Sequence, residues 1–138
     1  MISWELTEKD QKDIRDSLKL DNSEVTRTFN PESYEPSSWL HVSYCQRDVD
    51  GNLIAFAAVQ PVGNFAEITR FYTLARCRRT GLGKEFVLAL LHHLKYQGIQ
   101  EVGADYISEE SGRFWYSLGF RPICEGSTKL MLSLVDSL

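Results

Sequence analysis

The chain has 138 residues, 43% of them hydrophobic and 25% charged, which fits a single globular domain over residues 1–138 and excludes disordered, collagenous and disulfide-scaffold classes. A formal charge of −4 argues against a general nucleic-acid partner, which needs a broad basic surface. The longest apolar run, Leu53 to Val59, is seven residues against the ~20 of a spanning helix, and the first residues carry no export signal, so no membrane role and a cytoplasmic location are expected.

In chain order, Ile2 to Glu5 reads as a short strand. Thr7 then offers an N-cap, with Glu8 and Asp10 in the first turn and Ile14 and Leu18 four apart on one face of a helix ending near Leu20. Residues 21–38 hold Pro31 and Pro36, which leave a loop with one helical turn around Glu24 to Thr28. Trp39 to Arg47 and Leu53 to Gln60 form a hairpin across the Asp-Val-Asp-Gly-Asn turn at 48–52. Pro61 to Asn64 turns the chain again, into a third strand from Phe65 to Leu74.

Phe86, Val87, Leu90, Leu91 and Leu94 recur at helical spacing between Lys84 and Gln97, and Gly98 stops that helix. Val102 to Tyr106 is a strand; Ser108 caps a second helix that runs to Leu118; Phe120 to Glu125 and Lys129 to Leu134 close the order. A meander followed by βαβ and αβ units predicts an α/β (α+β) fold, a mixed, mostly antiparallel sheet flanked by helices.

Three cysteines, Cys45, Cys77 and Cys124, are an odd number with no CxxC pair, so neither a disulfide framework nor a zinc site is expected, and no metal is assigned. His41, His92 and His93 lack metal-ligand or protease spacing and read as structural or surface residues. The charge is uneven. Residues 1–36 hold nine acids and five bases, whereas Arg70 to Lys84 holds five bases and no acid. Within that window stands Arg78-Arg79-Thr80-Gly81-Leu82-Gly83-Lys84, between a strand and a helix. A helix N-terminus leaves amides unpaired and carries about half a positive charge, so a glycine turn there admits a phosphate closely. Glu85 breaks the phosphate-loop pattern of nucleoside triphosphate sites and Phe86 breaks the dinucleotide pattern.

The Arg-x-x-Gly-x-Gly of Arg78, Gly81 and Gly83, with Phe71-Tyr72-Thr73 before it and Phe114-Trp115-Tyr116-Ser117-Leu118-Gly119-Phe120 after it, resembles the acetyl-CoA site of the GCN5-related N-acetyltransferase (GNAT) superfamily over roughly residues 40–125. The resemblance implies that amides of Arg79, Thr80, Gly81, Leu82, Gly83 and Lys84 hold the pyrophosphate of acetyl-CoA, with charge from Arg78 and Lys84. Tyr72, Thr73 and Leu74 would splay from the following strand and pair with pantetheine, and Ser108 and Trp115 would complete the CoA contacts. Glu67, on the strand before the loop, resembles the family's base, which must take a proton because a free amine is almost wholly protonated at neutral pH.

The family's usual acid tyrosine falls at Trp115, which cannot give a proton. Tyr116 is the substitute, about 100° round the helix. The implied activity is transfer of an acetyl group to a primary amine of a small molecule or peptide by direct attack in a ternary complex, by a monomer or homodimer, with Phe29, Tyr34, Trp39 and Tyr44 on the acceptor side. A non-catalytic acyl-CoA-binding regulator is the alternative, because of Trp115.

Overall fold

The computed structural model describes residues 2–3, 7–20, 42–106 and 108–135. Strands β1 (Ile2–Ser3), β2 (Val42–Arg47), β3 (Leu53–Val62), β4 (Phe65–Thr73), β5 (Glu101–Asp105), β6 (Arg121–Pro122) and β7 (Lys129–Ser133) form one sheet in the order β1-β2-β3-β4-β5-β7-β6. Only β4 and β5 are parallel among these neighbours. Helices α1 (Glu8–Leu20), α2 (Leu82–Tyr96) and α3 (Glu109–Ser117) flank it, which is the mixed sheet the element order predicts. The expected strand residues Trp4 and Glu5, the loop at 21–38 with its helical turn, and Trp39 to His41 lie outside the described residues.

Local chemistry accounts for the elements. At the start of α1 the Thr7 hydroxyl accepts the Asp10 amide at 3.1 Å while the Asp10 carboxylate accepts the Thr7 amide at 2.8 Å, a reciprocal cap of two orphan donors. Asp48 organises the β2–β3 turn, its carboxylate accepting the amides of Asp50 and Asn52, each at 2.9 Å. Ser108 caps α3 in a reciprocal arrangement with Ser111.

The two faces of the sheet bury different sets. On one, Phe86, Val87, Leu90, Leu91 and Leu94 of α2 pack with Trp115 of α3 against Ala57, Val59, Ala66, Ile68, Val102 and Ala104. On the other, Ile14 of α1 meets Cys45, Leu53, Phe56, Tyr72 and Leu74. Asp10, 2% exposed, pairs with Arg47 and ties α1 to β2.

Strand β4 changes face midway. Ala58 pairs with Arg70 but Val59 pairs with Ile68, so Thr69 is an extra residue, a bulge whose hydroxyl donates to the Ala58 carbonyl at 3.2 Å. Before it Ala66 and Ile68 point to the α2 side; after it Phe71 packs on that side and Tyr72 points to α1.

Candidate active site

The parallel pairing of β4 with β5 ends at Ile68 and Ala104, while β4 continues to Thr73 and β5 continues at Asp105 in register with Lys129 of β7. Beyond Ile68 the two strands therefore part, and among the described residues no strand lies against this main-chain edge of β4. The Leu74 amide donates to the Ile54 carbonyl at 2.9 Å. By alternation Tyr72 also turns its main chain to β3, so Phe71 and Thr73 turn theirs to the gap. Of the expected splayed residues, Thr73 thus presents peptide groups there, whereas Tyr72 is buried toward α1 and Leu74 is bonded to β3.

From this edge the chain makes a single 3-10 turn (Ala75–Cys77) and a tight loop into α2. The Thr80 hydroxyl donates to the Cys77 carbonyl, and Arg79 (φ 61°) and Gly81 (φ 83°) are both left-handed. Gly83 is required for another reason: a Cβ there would stand 2.6 Å from Thr73 Oγ1. The first turn of α2 thus lies directly against the end of β4. The first helical bond is from the Glu85 amide to the Gly81 carbonyl at 3.0 Å. Among the described residues the amides of Gly81, Gly83 and Lys84 make no internal hydrogen bond, and the Leu82 amide has only a long contact of 3.4 Å to Thr80 Oγ1. These donors, at the positive end of a 15-residue helix, form a cradle fit for a phosphate. Arg79 and Lys84 are exposed beside it. Arg78 instead turns back, its Nε donating to the Thr73 carbonyl at 3.1 Å.

Glu67 is half-buried on β4, in register with Gln60 and Gly103, one residue before the strands part. With Ala66 and Ile68 buried toward α2, it projects on the opposite face.

Trp115 is 4% exposed and packs edge-on against Phe71, Phe114 and Phe120 at centroid distances of 5.5, 5.1 and 5.1 Å. It fills the core on the gap's α2 side. Tyr116, 36% exposed, lies outside that cluster beside Tyr106, with ring centroids 6.2 Å apart. The Arg121 guanidinium lies 5.9 Å from the Tyr116 ring centroid.

Tyr106, which the sequence reading places only as a strand end, follows β5 at the mouth of the gap. Its ring lies so near Gly112 that a Cβ there would meet Cδ2 at 3.1 Å. The neighbouring Tyr116 phenol, then desolvation, then the charges of Tyr116 and Asp105 raise the Tyr106 phenol above the usual tyrosine range. The signal for it lay in parity, because Tyr106 shares the face of Val102 and Ala104. The Ser108 hydroxyl is engaged as the α3 cap. Tyr44 is buried edge-on against His93 at 5.5 Å; Phe29, Tyr34, Trp39 and His41 lie outside the described residues.

Among the described residues no group of three His, Cys, Asp or Glu could hold a metal, and no helix is long and apolar enough to cross a membrane.

A mixed sheet that opens at its one parallel junction, with the open edge leading through a glycine turn into a helix N-terminus, is the architecture of an acetyltransferase. Residues 8–120 match the profile of the Acetyltransferase (GNAT) family, and the chain belongs to that family. Solved structures agree on the fold. The ribosomal-protein-S18-alanine N-acetyltransferase of Escherichia coli is 17% identical with a TM-score of 0.72, over 97% of this chain and 93% of that one. The PaiA N-acetyltransferase of Thermoplasma acidophilum, in complex with coenzyme A, is 19% identical at 0.69, over 95% and 97%. Tetrahymena GCN5 is 13% identical at 0.66, over 93% and 90%. No curated protein sequence matches the chain significantly.

Proposed function

We propose that this chain is a single-domain acetyl-CoA-dependent N-acetyltransferase that acetylates a primary amine of a small molecule or peptide by direct attack. The observation that carries the reading is the continuity of the open β4 edge at Phe71 and Thr73 with the unpaired amides of Gly81, Gly83 and Lys84. An extended pantetheine pairs with the first, and a pyrophosphate sits on the second. A main-chain amide of the open edge donates to the thioester carbonyl and stabilises the oxyanion that forms there. Glu67 takes the proton of the attacking amine, directly or through a water. The new C–N bond forms as the C–S bond breaks, and the thiolate takes a proton from the Tyr106–Tyr116 pair or from water. The acidic segment at 1–36 suits a cationic acceptor. The three free thiols suit a reducing cytoplasm.

The test is ligand-linked stability. Acetyl-CoA at a hundredfold excess over Kd should stabilise the fold by ~2.7 kcal/mol. Gly81→Glu should abolish that shift, since its carboxylate would occupy the cradle, while Gly51→Glu, at an equally left-handed position (φ 84°) on the far hairpin, should keep it. No shift in the wild type would overturn the reading. An amine panel read by release of free CoA then separates enzyme from regulator. The regulator reading is favoured by one observation, the burial of Trp115 at the position of the family's acid.

A further inference from the structure

Arg78 opens the Arg-x-x-Gly-x-Gly stretch, and its charge invites assignment to a phosphate. Its contacts among the described residues lie elsewhere. Besides the bond from Nε to the Thr73 carbonyl, its guanidinium carbon stands 5.0 Å from the centroid of the Tyr72 ring. That ring is 2% exposed and belongs to the cluster under α1, on the opposite face of the sheet from α2 and its amides. The Tyr72 hydroxyl is 2.9 Å from the Ser17 hydroxyl, and Ser17 Oγ also accepts the Ala75 amide at 3.2 Å. A connected set of groups therefore runs from Ser17 on α1, through the Tyr72 ring, to Arg78 and the Thr73 carbonyl. It fastens residues 72–78, the stretch that joins the open edge to the glycine turn.

Resting on the acyl-CoA reading above, we infer that Arg78, Tyr72 and Ser17 are positioning residues for the open edge of β4, and that Arg78 acts through the Thr73 peptide rather than as a phosphate ligand. The N–H and C=O of one strand residue point to the same side, so a carbonyl held by Arg78 also aims the Thr73 amide. With no strand beside it among the described residues, that carbonyl needs a partner, and Arg78 supplies it. The planar guanidinium can lie on an aromatic ring and donate from Nε at once, which the ammonium of lysine cannot do. The charge beside the cradle is then left to Arg79 and Lys84.

The experiment is acetyl-CoA affinity by titration calorimetry at about 50 and about 500 mM KCl, a range over which exposed charge pairs are screened and constrained contacts are not. Arg78→Met and Arg78→Lys should both weaken binding about tenfold, the loss of one charge-assisted hydrogen bond and its stack, by the same factor at both salts. Lys84→Gln should weaken binding at low salt and lose its effect at high salt. Tyr72→Leu combined with Arg78→Lys should be no worse than the poorer single variant, since both break one unit. Ser17→Ala should weaken binding severalfold, and Ser17→Thr, which keeps the hydroxyl, should restore it. If Tyr72→Leu does not fold, the Arg78 and Ser17 variants still decide.

Wild-type affinity in Arg78→Lys, or an Arg78→Met penalty that shrinks with salt as that of Lys84→Gln does, would make Arg78 a phosphate ligand and overturn the inference while leaving the acyl-CoA site intact. Failure of Ser17→Thr to restore binding would remove Ser17 from the set. A wild type that binds no acetyl-CoA at either salt would overturn the site reading itself and this inference with it.

Discussion

Gly83 makes the strongest quantitative demand in the site, and it can be tested without any ligand. Its ideal Cβ would lie 2.6 Å from Thr73 Oγ1, with Thr73 Cγ2 at 3.5 Å and Cβ at 3.6 Å. With Thr73 in this rotamer, Gly83→Ala must push the first turn of α2 off the end of β4. Overpacking of this kind costs about 1–3 kcal/mol. Alanine returns up to ~1 kcal/mol of helix propensity, less in a first turn. A net loss of about 1–2 kcal/mol follows, a fall of roughly 3–6 °C in Tm for a chain of this length.

In a Thr73→Ala background the two nearest atoms are gone, and Gly83→Ala should become neutral or slightly stabilising. The coupling between the two sites should therefore be about 1–3 kcal/mol by urea unfolding of wild type, both single variants and the double variant. A coupling below ~0.5 kcal/mol would refute the claim that contact with Thr73 is what keeps residue 83 a glycine.

Glu67→Gln should lower turnover ~10²–10⁴-fold at neutral pH and leave acetyl-CoA affinity nearly unchanged, as loss of a base does; wild-type kcat across pH 6–9 would make Glu67 structural. For the acid, Tyr106→Phe and Tyr116→Phe should each reduce kcat and the double variant should be no worse than the poorer single, because the two rings are neighbours, 6.2 Å apart, and act as one unit; silence in both would assign protonation of the thiolate to water. Burial raises the Asp10 pKa, but the bond to Arg47 and those to the Thr7 amide and hydroxyl outweigh it, leaving the carboxyl below its usual 3.8. A carboxylate lowered on folding stabilises above its unfolded pKa and loses that contribution as pH falls through the folded value. Asp10→Asn should therefore cost about 3 kcal/mol near pH 7, with the gap to wild type narrowing from about pH 4 down to pH 2; a gap independent of pH over that range would refute the pairing with Arg47.

The sequence makes the regular parts of this fold readable because their signals are local. All five apolar positions expected on the long helix are buried, and Ser108 caps α3 as its side chain predicts. Boundaries slip where a local rule meets a tertiary one. Gly81 to Gly83 reads as a turn, yet α2 already begins at Leu82, since Gly83 serves closeness to Thr73 rather than flexibility. Pro61 reads as a turn, yet β3 runs to Val62, because that exposed proline sits in register with Ala66 and the turn falls at Gly63 and Asn64. The strand expected from Phe120 to Glu125 contracts to Arg121–Pro122, at the sheet's edge, where a proline can sit with its missing donor facing out. In the site, the glycine loop is legible as a motif, whereas the inward turn of Arg78 and the pairing of Tyr106 with Tyr116 join residues whose sequence pattern carries no mark of contact.

The least legible feature is the one on which the site depends. A bulge has no reliable sequence signature, and strict alternation along β4 would put Phe71 on the face of Glu67 and Tyr72 on the face of Ile68. The extra residue at Thr69 exchanges them. Phe71 thereby joins the aromatic group of α2 and α3, with stacked contacts to Phe86 at 6.2 Å and Phe114 at 5.1 Å, and Tyr72 reaches α1, where Ser17 can hold it. The same bulge adds bend and twist immediately after Ile68, the last residue of β4 that pairs with β5. Because β5 ends one residue later, at Asp105, the gap combines the departure of β4 with the end of β5. One inserted residue thus helps open the edge that would receive an acyl-CoA and sets Glu67 and Tyr72 on the same side of the sheet, away from the aromatic packing that seals the other.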